Sequence, residues 1–311
     1  MEIRKLPIGQ GLAWFKQSID LGGHNPRGVF GAAALMLAAL YAAGLLIIVP
    51  MVAVVPDTGE AADVGAVLTR LWPFLLVMIL AISMLMPFLV GGLMHVIRET
   101  EAGNKPGALA VFHPFRSGKA GRLAAVGLLM LAIQVVGGVL VMLTGGSEYM
   151  QAYGDMVRGL LAGEDPLTLA QPQASLLMFV LQLLVNYIGY AVLLLSVPSI
   201  LFLGTTLGEA LGGSLKASFR NIGANLLAGV LLVVALIVAT LLFLLLLALV
   251  ALVGNAIHPV FGAVLTLVLG LLFASAAIVV LVGAAYLAWR DTFAGGAPAA
   301  ASPAPPAGFE A

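Results

Sequence analysis

The side chains best suited to metal or proton chemistry are four histidines, His24, His95, His113 and His258. None falls in a His-Glu-x-x-His helix pattern. His95 and Glu99 stand one helical turn apart, with Glu101 and His113 close by in sequence. These are the residue types a metal takes, but many loops carry the same set. Without a fixed ligand spacing the expectation is no metal. The chain has no cysteine, so disulfides, thiolate metal sites, iron–sulfur clusters and cysteine nucleophiles are excluded. No Ser/His/Asp grouping, phosphate-binding glycine loop or pair of carboxylates at the end of an apolar run stands out. The expectation is a non-enzymatic protein with no cofactor.

Polar uncharged residues inside apolar runs offer a second kind of chemistry. Gln134 lies in one such run. Gln182, Asn186, Tyr187 and Tyr190 lie in the next, followed by Ser196, Pro198 and Ser199. Gln182 and Asn186 are four apart and share a helix face that Tyr190 continues. Such a face lines a pore or groove beside a proline kink, or it supplies interhelical hydrogen bonds of about 0.6–2 kcal/mol each. The packing role is the commoner one.

Basic residues are the third group. Arg116, Lys119, Arg122, Lys216 and Arg220 sit just before apolar runs. They are candidates for anionic lipid headgroups, at about 1 kcal/mol per basic residue near a charged surface. Orientation of the chain in a membrane requires basic residues at the same positions whether or not they bind anything.

The elements that must position these residues follow from composition. Of 311 residues, 62% are hydrophobic and 9% charged, against about 25% charged in a soluble domain. A chain this apolar needs lipid as its solvent. Its net charge is zero, and no basic stripe is available to neutralise nucleic-acid phosphates, so nucleic acid is not an expected partner. A membrane-spanning helix needs about 20 mostly apolar residues. Six stretches qualify: Val29–Val55, Leu71–Val96, Leu123–Thr144, Ser175–Leu203, Leu226–Val253 and Val260–Trp289. The first lies too far along and runs too long for a cleavable signal. Residues 1–28 read as a lead-in, 29–290 as the spanning domain and 291–311 as a disordered Ala/Pro-rich tail.

Charge sets the orientation. Arg4, Lys5, Lys16, Arg27, Arg98, Lys105, Arg116, Lys119, Arg122, Lys216, Arg220 and Arg290 fall on one side, 12 of the 14 Lys and Arg. The other side has Arg70 and Arg158, among Asp57, Glu60, Asp63, Glu148, Asp155, Glu164 and Asp165. The basic side is expected to be cytoplasmic, with both termini there. The loops Pro56–Arg70 and Gly145–Gln173 are then outside, and the second carries Tyr149, Tyr153, Met156 and Leu160 at spacings that fit a surface helix. Gly254–Pro259 reads as a tight outer turn. No Asp, Glu, Lys or Arg stands in the middle of a run, which argues against an ion-coupled pump.

Leu207–Asn225 carries Leu207, Leu211, Leu215 and Phe219 on one helical stripe, with Glu209, Lys216 and Arg220 off it. This is the pattern of a helix lying in the membrane interface. Similar segments precede the other odd spans: Gly11 to Lys16 leading through Asn25, Pro26 and Arg27, and Gly107 to Phe112 leading through Lys119 and Arg122. The odd spans begin near residues 29, 123 and 226, about one hundred apart, which suggests three parallel repeats of interfacial helix plus hairpin. Ala34, Ala38 and Ala42, and Gly270 with Ala274, offer close helix contacts. Gly91 with Gly92, and Gly137 with Gly138, offer the same or local bending. Trp72, Tyr286 and Trp289 at span ends read as an aromatic belt.

Arg4 to Pro7, Gly9 to Trp14, Asn25 with Pro26, and Ala210 to Asn221 with Ser214, Lys216, Ser218 and Phe219 carry a family resemblance. In these segments the chain resembles an uncharacterised proteobacterial six-helix inner-membrane protein family. It is distantly similar to the membrane domain fused to some glycerophosphodiester phosphodiesterases. The resemblance implies six spans and the bacterial inner membrane. It implies no catalytic residues, because hydrolysis in those fusions belongs to a separate domain.

The expectation is therefore an all-α integral membrane protein with amphipathic helices before the odd spans. Membrane lipids are its first partners, with a protein partner or a second copy next. Its role is read as a scaffold or accessory subunit, or else a passive channel, permease or lipid-handling protein.

Overall fold

The computed structural model describes residues 2–54 and 64–294. Among them the chain is helical, with no strand. Its elements are α1 (Gln10–Asp20), α2 (Pro26–Val54), α3 (Val64–Glu101), a 3₁₀ helix (Ala108–Arg116), α4 (Ala120–Leu161), α5 (Leu176–Leu203), α6 (Leu207–Arg220), α7 (Ile222–Ile257) and α8 (Pro259–Phe293). Six are long and apolar enough to cross a membrane. The order short, long, long occurs three times, as the repeat reading requires, although the middle short element is a 3₁₀ helix.

Several boundaries differ from the sequence reading. α3 begins at Val64, so the second half of the expected outer loop Pro56–Arg70 is helical, while residues 56–63 lie outside the described residues. α8 runs through Asp291 to Phe293, into the expected tail; the rest of that tail, residues 295–311, lies outside the described residues. The Tyr149–Leu160 segment is helical and continues α4 beyond Gly146, whose φ of 70° and ψ of −177° break the helical path. Only glycine adopts that backbone cheaply. α5 carries Pro198 within one helix. The turn expected at Gly254–Pro259 is tighter still, because only His258 separates α7 from α8.

The described residues form two compact units: residues 2–39, 88–122 and 194–294, and residues 40–54, 64–87 and 123–193. In the second unit glycines let helices approach. A Cβ on Gly127 would stand 2.4 Å from the Ser83 carbonyl oxygen, and one on Gly137 2.4 Å from Val185. Gly189 faces Gln134 and Met130.

In the first unit each short helix buries one face and leaves large apolar side chains on the other. α1 buries Gly11, Trp14 and Ser18 and exposes Leu12 and Ile19. The 3₁₀ helix buries Val111 and Pro114 and exposes Leu109 and Phe115. α6 buries Ala210, Ser214, Ala217 and Ser218, leaves Leu207, Leu211 and Leu215 half-buried and exposes Phe219. The leucine stripe of α6 thus lies at the edge of its buried face, with only Phe219 fully outward. Thr206 caps α6: its hydroxyl accepts from the Glu209 N–H, and the Glu209 carboxylate accepts from the Thr206 N–H at 3.0 Å. This capping box is legible in the Thr206-x-x-Glu209 spacing.

The short helices dock in a cyclic order. α1 packs on α7 and α8, with Gly11 so near α7 that a Cβ would lie 2.3 Å from the Ala224 carbonyl oxygen. The 3₁₀ helix packs on α2 and α3: Ala108 meets Gly31, Phe115 stacks on Phe88, and a Cβ on Gly92 would stand 1.7 Å from the Val111 carbonyl oxygen. α6 packs on α5, where Ser196 Oγ donates to Ser214 Oγ at 3.0 Å. Each short helix therefore sits on the hairpin one repeat earlier, and the first sits on the last. The lead-ins follow the same rule. Asn25, before α2, donates to the Pro106 carbonyl at 3.0 Å. Lys119, before α4, donates to the Leu201 carbonyl at 2.6 Å, and Arg122 to the Thr205 carbonyl at 2.7 Å. Asn221, before α7, accepts from the Leu6 N–H at 2.8 Å and donates to the Arg4 carbonyl at 2.9 Å.

Two packing expectations are corrected. Ala34, Ala38 and Ala42 are exposed, and the buried residues of α2 include Val29, Ala32, Ala33, Met36 and Leu37. The alanine spacing names a face without saying that it turns inward. Tyr286 and Trp289 do not form a belt: each is 3% exposed. Trp72 is 61% exposed.

Candidate functional site

The residues that can do chemistry gather in the first unit, where α3, α5 and α8 end beside the short helices. Trp289 Nε1 donates to Ser199 Oγ at 2.9 Å, and Tyr286 Oη donates to Glu101 Oε2 at 2.7 Å. Arg290 joins both Glu101 and Asp291. Asp291 also accepts from Trp14 Nε1 at 2.9 Å and Gln10 Nε2 at 2.8 Å. A single guanidinium thus serves two carboxylates contributed by α3 and α8, and α1 closes over one of them. Buried charges persist only when paired and hydrogen-bonded, and each member here has several partners. Nothing in sequence joins Glu101 to Arg290. The signal available was only that Gln10, Trp14, Glu101 and Asp291 are polar residues at helix ends.

Beside this network a cavity of about 290 Å³ is lined by His95, Arg98, Glu99, His113, Ser117, Lys119, Leu201 and Phe202. His95 and His113 stack, with ring centroids 4.2 Å apart and planes 19° apart. The Arg98 guanidinium lies 4.7 Å above the Phe202 ring. Glu99 accepts from Asn104 Nδ2 at 2.7 Å. A neighbouring cavity of about 260 Å³ shares Arg98, Glu99 and Phe202 and reaches Glu101, Tyr286 and Arg290. Among the described residues no three His, Asp or Glu side chains converge as a metal-ligand set. The structure does bring His95 and His113 together, as stacked rings.

The polar-lining residues lie elsewhere. In the second unit Gln182 Nε2 donates to Asn186 Oδ1 at 3.0 Å. Asn186 is exposed, and Gln182 and Tyr190 are half-buried. Tyr190 pairs with Tyr187, not with Asn186, with ring centroids 6.4 Å apart. Around the pair, Phe179, Val180, Leu183 and Leu184 are 44–58% exposed. Of the lipid-contact candidates, Lys119 and Arg122 cap the final carbonyls of α5 and the turn beyond it, where a cation also meets the negative end of the helix dipole. Arg116, Lys216 and Arg220 are exposed.

An apolar groove of about 360 Å³ runs between α1, α7 and α8, lined by Phe15, Ile19, Leu232, Leu236, Phe273 and Leu281 among others. No family model, curated protein or solved structure matches the chain.

Proposed function

We propose that this polytopic membrane protein is a non-enzymatic scaffold or accessory subunit of the bacterial inner membrane, with both termini cytoplasmic. The observation that carries this reading is the Gln182–Asn186 pair. It lies within a spanning helix, on an exposed face among large apolar side chains. One hydrogen bond between two amides leaves further donor and acceptor sites on each. Lipid tails cannot fill them, whereas a polar side chain on another spanning helix can. The partner is a second copy or another membrane protein. The test is cross-linking in native membranes followed by purification in mild detergent, with the natural chain and with Asn186→Leu. The natural chain is expected in a complex and the variant alone. Recovery of the natural chain only as a monomer would remove the basis of the proposal.

The apolar groove between α1, α7 and α8 favours a second reading, lipid handling. It offers an acyl chain a seat at the level where α1 meets the hairpin.

A further inference from the structure

We propose that the cavity beneath His95 and His113 binds a phosphoethanolamine group, with its phosphate on Arg98 and the imidazoles and its ammonium on Glu99. The cavity carries both signs of charge. The Arg98 guanidinium lies over Phe202 and makes no ion pair with any described residue, so its N–H donors remain available to an acceptor. His95 and His113 add short-range donors on the same wall, while the Ser117 hydroxyl donates to the Pro114 carbonyl at 2.8 Å. A bare anion is a poor fit, for two reasons. Glu99 shares the cavity, and α3 and α5 both end there with the negative ends of their dipoles. Lys119 answers part of that field through the Leu201 carbonyl. A ligand with an adjacent ammonium answers the rest, next to Glu99, whose Oε2 already accepts from Asn104. At about 290 Å³ the cavity stands at the lower end of the usual range of ligand sites, about 300–1,000 Å³, and has room for a phosphoethanolamine group. Its walls are the last turns of two spanning helices and the interfacial 3₁₀ helix, which is headgroup depth.

The test uses the full chain in a maltoside detergent and native mass spectrometry, with phosphatidylethanolamine, phosphatidylcholine and phosphatidylglycerol of identical acyl chains. The ethanolamine lipid is expected to be retained about tenfold over both others, the scale of one charged hydrogen bond. Arg98→Gln is expected to lower its retention about tenfold. Glu99→Gln is expected to erase its preference over the choline lipid. Glu99 bonds only to Asn104 just beyond its own helix, whereas Arg98 rests on Phe202 of α5, so melting temperatures close to that of the natural chain will show that both variants are folded. Soluble glycerophosphoethanolamine separates the two sources of the group. Displacement of the lipid by it identifies a water-soluble ligand, and lipid retention in its presence identifies the membrane phospholipid. Equal retention of the three lipids, or retention unaffected by both substitutions, would overturn the proposal.

Discussion

Trp14 Nε1 donates to Asp291 Oδ2 across 2.9 Å, joining residues 277 apart at the two ends of the described chain. The bond is buried, and Gln10 and Arg290 share the same carboxylate. Trp14→Phe keeps the ring volume and removes the donor. Leaving a buried polar group short of a partner costs about 1–3 kcal/mol. The expected result is a lower melting temperature in detergent, and Asp291→Ala should lower it further because three donors then lose their acceptor. If Trp14→Phe melts with the natural chain, α1 is held by apolar packing alone.

The fold was largely legible and the network was not, for one physical reason. A run of 20 apolar residues and a leucine stripe are local signals, so the six spans and α6 could be read from sequence. The inward face of a helix is a tertiary fact. In lipid, both faces of α2 are apolar, and the Ala34, Ala38, Ala42 spacing could not say which one packs. Tyr286 and Trp289 sit where interfacial aromatics sit, but their partners Glu101 and Ser199 are 185 and 90 residues away. The basic residues Lys119 and Arg122 satisfied a topology rule equally well before their carbonyl partners were known.

Glycines separate close docking from open space. A Cβ on Gly92 would meet backbone, the Val111 carbonyl oxygen, which cannot swing aside. Gly92→Ala should therefore shift the 3₁₀ helix and cost at least about 1–3 kcal/mol. Gly138, also inside a spanning helix, has nothing within 4 Å, so Gly138→Ala should be neutral or stabilise by about 0.4–1 kcal/mol. Thermal unfolding of the two variants in the same detergent checks the contrast. Equal effects would mean that the 3₁₀ helix does not bear on Gly92.

The capping box of α6 makes a pH prediction. The Thr206 N–H, and then its hydroxyl, hold the Glu209 carboxyl below the ordinary carboxylate range. A carboxylate with a lowered folded value stabilises the helix above its unfolded value, and that contribution fades as pH falls through the folded one. The natural chain should lose more melting temperature between neutral and strongly acidic pH than Glu209→Gln. A parallel acid response of the two proteins would count against the box.

Orientation can be tested without a background signal, because the chain has no cysteine. Leu167 is 93% exposed in the segment between α4 and α5, and Asn104 is exposed between α3 and the 3₁₀ helix. In intact cells, Leu167→Cys should react with a membrane-impermeant maleimide, and Asn104→Cys should react only after permeabilisation. The reverse pattern would invert the proposed topology.

The cyclic docking of the short helices predicts that the chain can be opened elsewhere. Arg4 N donates to the Thr292 carbonyl at 3.1 Å, so residues 4 and 292 already touch. Joining 294 to 4 by a short linker, without the residues outside that range, and opening between Lys105 and Pro106 gives a permuted chain. It starts at the second repeat and ends with the first. The new ends lie in the exposed segment after Gly103, whose φ of 85° marks a turn. All six spans keep their direction, because the cut and the join are on the same side. Every short helix keeps its hairpin: α1 on α7 and α8, the 3₁₀ helix on α2 and α3, α6 on α5. Closeness of the ends is the usual condition for permutation to succeed. The permuted chain should insert and melt close to the natural one, and Asn221→Ala should weaken both equally, since Asn221 still holds Arg4 and Leu6 in each. If the permuted chain fails to insert while the natural chain lacking the same terminal residues succeeds, order of synthesis, not the closed ring of contacts, sets the fold.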